Sequence, residues 1–284
     1  MALFSLLVAI LVERLKLLPS TWQFDGLLRR YHASVFGIKP LSSDLVMALA
    51  LVLPAVGVYL LSWAVAGLFW GCLSLVLWVL VSVLCLCHQQ QRQAFKHYIQ
   101  AACRGDVQAC YHYAGELDCS ECFDAVSETD LGTKVGQSVA WINYRYYGAV
   151  ALYLVFLGPV GVIFYCTVRF YAEENRRKAQ ALPLVDTVLM LLDWLPSRLF
   201  AFGYVLSGEF SRALATWRTN ALRPRTSARR VITETAMAAE SVAEDAGNAP
   251  VSVQPTLALL ALTKRNFMLL VTLLSLLTIF GLVS

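Results

Sequence analysis

The residues between 103 and 122 carry the pattern with the most obvious chemistry. Cys119-Ser-Glu-Cys122 is a Cys-x-x-Cys pair, with Cys103, Cys110 and His112 upstream of it. Two thiolates at that spacing can hold one edge of a zinc tetrahedron, but a structural site wants a second pair at defined spacing. The upstream residues are irregularly placed, so no metal site is assigned, and a Cys119 to Cys122 disulfide or plain thiols remain as the readings.

Phosphate chemistry is the next test. Gly132-Thr-Lys134 lacks the upstream glycine and the Gly-Lys-Ser/Thr order that lets a lysine cap a cradle of backbone amides. No Gly-x-Gly-x-x-Gly, Gly-x-Ser-x-Gly or His-Glu-x-x-His run occurs either, so no standard hydrolase or dehydrogenase signature survives and no cofactor is expected. Asp186, Asp193 and Ser197 fall at i, i+7 and i+11, on one face of a helix that is otherwise Leu, Val, Met and Phe. That stripe reads equally as a charged pocket wall or as a solvent-facing strip with an Asp193 to Arg198 contact.

The elements that position these residues follow from bulk composition. Of 284 residues, 58% are apolar and only 15% charged, and the mean hydropathy is +0.61. Soluble domains carry about 25% charged residues, so a water-soluble core of this size cannot absorb the excess apolar side chains. The expected fold class is all-α: a multi-pass α-helical integral membrane protein with four or five spanning or re-entrant helices. A formal charge of +4, with no aromatic interleaving among the basic residues, argues against nucleic acid as a partner.

Leu45 to Cys87 is 43 uncharged residues, about twice the ~20 that a helix needs to cross a bilayer. It reads as a helical hairpin turning near Gly67 to Gly71. Tyr146 to Val168 is a third span of 23 uncharged residues, with Gly158, Pro159 and Gly161 placed to kink or break it at mid-depth. Asn266 to Ser284 reads as the last span, preceded by Lys264 and Arg265. Residues 1–44 read as interfacial or buried helices, because Met1 to Val12 is apolar yet too short to cross and lacks the basic start of a signal peptide.

Cys72, Cys85, Cys87 and Cys166 lie in the apolar runs and read as buried small hydrophobes. Between the spans, residues 88–145 form a polar helical segment. Ala94, Tyr98 and Ala101 share one helix face, Gly105-Asp106 stops that helix, and Val107 to Leu117 starts another. Residues 169–265 read as amphipathic helices and a surface linker, with Leu182 to Leu206 re-entrant or spanning. A crossing there would place both large polar segments and the N-terminus in the cytoplasm, which fits the positive-inside rule. Val231, Ala238 and Val242 mark a single surface helix, and Arg223, Arg225, Arg229 and Arg230 suit anionic lipid head groups.

Several fragments in order also resemble a known family. They are Leu11-Val-Glu-Arg-Leu15 with Trp22 and Asp25, Ala102-Cys-Arg-Gly-Asp106, Ala114-Gly-Glu-Leu117, Trp141-Ile-Asn-Tyr-Arg-Tyr146 and Leu192-Asp-Trp-Leu-Pro-Ser-Arg-Leu199. Together with the length and terminal span they resemble the AmpE family of modulators of β-lactamase induction. The resemblance implies a non-enzymatic regulatory protein of the bacterial inner membrane that responds to cell-wall muropeptide status. Beyond the lipid bilayer, the implied partners are a muropeptide ligand or the cytosolic anhydromuramyl-peptide amidase.

A more distant resemblance reaches the membrane-bound adenosylcobinamide-phosphate synthases, carried by Gly158-Pro-Val-Gly161, Asp186 and Leu195-Pro-Ser-Arg-Leu199. It implies, as an alternative, an ATP and magnesium-dependent amide synthase. Where those enzymes have a Glu-Asn-x-x-Asp run this chain has Trp141-Ile-Asn-Tyr-Arg145, which removes both carboxylates and reverses the local charge. A third reading is a muropeptide transporter component, motivated by the interrupted helix at Gly158 and Pro159.

Asn143 and Arg145 at the membrane edge suit an anionic ligand, since a guanidinium grips carboxylate or phosphate in two places; alternatively Arg145 anchors the span. The expected ligand-binding lining is Arg104, Asp106, Glu116, Asn143, Arg145, Asp186, Asp193 and Arg198, with no catalytic residue among them.

Overall fold

The computed structural model describes residues 1–15, 23–37, 44–66, 71–86, 88–119, 122, 125, 127–177, 183–240 and 253–281. Every regular element among them is helical. In chain order these are α1 (Ala2–Leu15), α2 (Phe24–Val35), α3 (Asp44–Val65), α4 (Cys72–Leu86), α5 (Gln89–Arg104), α6 (Val107–Glu116) and α7 (Glu128–Asn143). A π-helical turn, Tyr144–Gly148, then leads into α8 (Ala149–Arg177), followed by α9 (Pro183–Ser207), α10 (Phe210–Ala221), α11 (Ala228–Ala239) and α12 (Gln254–Ile279).

Among the described residues five stretches are long and apolar enough to cross a membrane: Asp44–Val65, Cys72–Arg104, Asp130–Arg177, Leu184–Ser207 and Gln254–Ile279. The protein is a multi-pass α-helical membrane protein. The Leu45 to Cys87 hairpin is present as α3 and α4. Its turn glycine Gly71 has φ +84°, whereas residues 67–70 and Cys87 lie outside the described residues. The last span differs from expectation. It starts at Gln254 rather than Asn266, because the apolar periodicity carries Lys264 and Arg265 inside the helix as exposed side chains.

The chain divides into two units. The first comprises residues 1–87, 149–193 and 273–284, and the second residues 88–148 and 194–272.

In the first unit α8 is the centre, with α1, α2, α3 and α4 all packing on it. Helix α1 buries Ala2, Leu6 and Ala9 on one face and exposes Phe4, Leu7, Leu11 and Leu15 on the other. Both faces are thus apolar, the pattern of a helix set between protein and lipid. Gly158 interrupts α8 with φ +65° and ψ −159°, a conformation essentially reserved for glycine. A Cβ at Gly158 would also lie 3.1 Å from the Trp78 ring. The expected kink is therefore a real break in the helix. Among the apolar-run cysteines, Cys85 and Cys166 are buried as expected, but Cys72 is exposed, because it opens α4.

In the second unit α5 ends in a Schellman motif. Gly105 is left-handed, its N–H donates to the Ala102 carbonyl, and the Asp106 N–H donates to the Ala101 carbonyl. Asp106 then caps α6 by accepting from the Ala109 N–H at 3.0 Å. Ala94, Tyr98 and Ala101 form the buried face, as their spacing requires, and join Val135 and Val139 of α7 in one core.

This polar segment does not close on itself. Thr256 of α12 donates to the Gly132 carbonyl at 2.7 Å, and α11 packs on α7. Between residue 222 and residue 240 there is one amphipathic helix, α11, as expected. The buried face of α11 is Val231, Ile232, Thr235, Ala236 and Ala239; Ala238 is only partly buried and Val242 lies outside the described residues.

Candidate functional site

In the second unit charged side chains gather around Asp118. Asp118 follows the last turn of α6, immediately before Cys119, with φ +57°. Asp is one of the few non-glycine residues that enters the left-handed region readily. The bend aims its carboxylate at two guanidiniums. Arg145 Nη1 lies 3.8 Å from Asp118 Oδ2, and Arg229 Nη1 lies 3.9 Å from the same oxygen. Arg229 Nη2 also donates to the Asp118 carbonyl at 3.2 Å and to Ser138 Oγ at 3.4 Å.

Each participant is set by its own element. Arg145 belongs to the π-helical turn, where the wider helix shifts side-chain register and which recurs at functional sites. It is only 2% exposed and sits over the Trp141 indole, 5.9 Å from the ring centroid. A guanidinium so buried is tolerated only where charge and ring faces replace its water. Arg229 stands in the first turn of α11, behind the cap formed when Ser227 Oγ accepts from the Arg230 N–H at 3.3 Å. The disulfide between Cys119 and Cys122 closes the chain directly after Asp118. That decides between the two cysteine readings.

Arg198 makes a different arrangement. Its Nε donates to the Ala221 carbonyl, its Nη1 to the Trp194 carbonyl and Ser197 Oγ, and its Nη2 to the carbonyls of Arg223 and Thr226. All five donors of the guanidinium are thereby committed to protein acceptors. The plane also stacks on Trp194, 4.6 Å from its centroid. The geometry is that of a clamp that fastens the link between α10 and α11 to α9.

The remaining expected residues are spread out. Arg104 is exposed at the end of α5, and Asp106 spends its carboxylate on the α6 cap. Glu116 is exposed beside His112, at 3.7 Å. Asn143 Nδ2 turns back on the Val139 carbonyl at 3.2 Å.

In the first unit the Asp186, Asp193 stripe splits, because Asp186 is exposed in the first turn of α9 while Asp193 is 4% exposed. Tyr165 donates to Asp193 Oδ1 at 3.0 Å. Tyr153 stacks on Tyr165 at 4.9 Å and donates to the Leu192 carbonyl at 2.8 Å. Asp193 is thus an acid inside an apolar helical bundle, a placement associated with function in membrane proteins.

The sequence reading found Arg145 and missed Asp118, Arg229 and Ser138. Its one available signal was the position of Asp118 next to the Cys-x-x-Cys pair. Arg229 lay hidden in a basic run read as lipid-facing.

Comparison with known proteins agrees over the full chain. The family described as regulatory signalling modulator protein AmpE matches residues 1–284. Protein AmpE of Shigella flexneri is 30% identical over 293 residues, covering 99% of this chain and 99% of that protein. No solved structure matches. A multi-pass helical chain that aligns from end to end with these proteins belongs to the AmpE family of regulatory signalling modulators.

Proposed function

We propose that this protein is an inner-membrane regulator that modulates β-lactamase induction in response to cell-wall muropeptide status, by binding a ligand or a partner at the Asp118, Arg145, Arg229 cluster. Family membership supports the regulatory role. The observation that carries the site is the buried Arg145 guanidinium, joined through Asp118 to a helix more than 80 residues away in the chain. One carboxylate thus ties the disulfide loop, the π-helical turn and the start of α11 together.

An anionic group arriving at this cluster competes with Asp118 for both guanidiniums. Displacing Asp118 releases three chain segments at once, which is the local charge change a switch requires. A peptide carboxylate of a muropeptide has the planar, bidentate geometry that a guanidinium favours.

The test is complementation in a bacterium with inducible β-lactamase from which this gene has been deleted. Antibiotic-induced β-lactamase is measured with wild-type protein, with Arg145→Gln and with Arg229→Gln, at matched membrane abundance. The reading expects loss of normal induction on deletion, restoration by wild type, and failure of both variants. Unchanged induction on deletion would overturn the regulatory role. Full restoration by both variants would overturn the site alone.

A further inference from the structure

The fold sorts the basic residues from Arg218 to Arg230 into two kinds. Arg229 is engaged with Asp118 and Ser138, and Arg230 Nε donates to Glu234 Oε1 at 2.6 Å. Arg218, Arg223 and Arg225 are exposed and, among the described residues, form no ion pair. No acid on the neighbouring helices is left to serve them. Between Trp194 and Glu240 the acids are Glu209, Glu234 and Glu240, which pair with Arg212, Arg230 and Arg265.

The backbone turns these arginines outward. Arg223 to Thr226 is a turn in which the Thr226 N–H donates to the Arg223 carbonyl at 3.2 Å, with Pro224 where its fixed φ favours the bend. Arg198 holds the carbonyls of Ala221, Arg223 and Thr226 from the inner side. With those carbonyls committed inward, the link presents the side chains of Leu222, Arg223 and Arg225 on its outer side. Arg218 stands four residues before Leu222, one turn back on the same face of α10.

Apolar side chains accompany the arginines. Leu222 is 71% exposed, and Trp194 and Leu195 are exposed on α9 within a turn of the Arg198 that fastens the link. Bare apolar groups beside unpaired guanidiniums match a surface that is apolar beneath and anionic above, which is what a phospholipid layer with acidic head groups offers. The link is tied to a stretch of α9 apolar enough to cross a membrane, which brings its arginines to lipid rather than to a partner in solution.

We propose that the last turn of α10 and the link 222–226 form a binding surface for anionic phospholipid. Arg218, Arg223 and Arg225 take the head-group phosphates, and Leu222, Trp194 and Leu195 lie against the acyl chains. Arg229 and Arg230, which adjoin them in the sequence, take no part. The surface is separate from the Asp118 cluster, so neither proposal depends on the other.

The full chain in a neutral detergent is titrated with phosphatidylglycerol or phosphatidylcholine, and bound lipid is measured by native mass spectrometry. Phosphatidylglycerol should bind more tightly, and its advantage should shrink as salt is raised. An arginine near an anionic surface contributes about fivefold. Arg218→Gln, Arg223→Gln and Arg225→Gln should each weaken phosphatidylglycerol binding by about that factor, and the triple variant by on the order of a hundredfold. These variants spare the Arg198 clamp, which uses main-chain carbonyls. Arg212→Gln, at a residue already paired with Glu209, should change little. With benzoylphenylalanine in place of Leu222, illumination of native membranes should attach phospholipid to that position. Unchanged binding in the triple variant would overturn the proposal, as would an equal loss from Arg212→Gln. So would attachment to a protein instead of phospholipid, or competition by glycerol phosphate as effective as that of the intact lipid.

Discussion

Arg145 and Asp118 stand 3.8 Å apart with opposite access to solvent, since the guanidinium side chain is 2% exposed and the carboxylate side chain 47%. The buried member therefore depends on the exposed one for part of its charge compensation. Any agent that neutralises or displaces Asp118 acts on Arg145 without having to enter the core.

Removing the acid should accordingly cost more than removing the base. Asp118→Asn keeps a residue that tolerates the left-handed backbone but leaves Arg145 with less compensation. We expect a loss of about 1 to 3 kcal/mol, below the ~3 to 5 for a fully buried pair because Asp118 faces water. Arg145→Met, similar in length and uncharged, should lose less. Thermal unfolding in detergent compares the two, and the reverse order would sink the idea.

Arg198→Lys should loosen the connection between α10 and α11. An ammonium offers three donors from one point, against the five acceptors now served in a plane. The Ala221 carbonyl is the buried one of these acceptors, and leaving it without a donor costs about 1 to 3 kcal/mol. Amide hydrogen exchange at residues 222–227 should quicken, while α5 and α6 exchange at their original rates.

Two glycines should respond differently to alanine. At Gly203 a Cβ would lie 2.0 Å from Asn266 Oδ1, the side chain whose Nδ2 donates to the Phe200 carbonyl at 3.0 Å. Gly203→Ala should cost about 1 to 3 kcal/mol by overpacking, and adding Asn266→Ala should recover much of it. At Gly158 the backbone itself is strained for any L residue. Adding Trp78→Ala to Gly158→Ala should therefore recover little. Melting temperatures of the four variants separate a clash from a strain.

Tyr165→Phe should destabilise the first unit by about 1 to 2 kcal/mol, because it removes a donor from an acid buried among apolar helices. Adding Asp193→Asn should lessen the loss, since a neutral amide needs less compensation than a carboxylate. If Tyr165→Phe costs the same in the Asp193→Asn background as in the native one, the hydroxyl is not serving the carboxylate.

The helices of this protein were legible from local information. An uncharged run such as Leu45 to Cys87 can be nothing but membrane-spanning, because no soluble core of this size absorbs it. Gly105-Asp106 marked a helix end and a cap because both jobs are done within a few residues. The start of α12 was misplaced because charge was taken to end a span, whereas Lys264 and Arg265 simply point outward from one continuous helix.

What only the tertiary structure decided is which distant side chains share a place. Asp118, Arg145 and Arg229 come from the end of α6, a π-helical turn and a separate helix. Arg198 stood in a recognisable motif, yet its five partners lie partly on residues 221–226 and turn a candidate ligand contact into a clamp. Periodicity reports which way a residue faces along its own helix. It carries no information about the partner across the interface, which is set by packing of segments far apart in the chain.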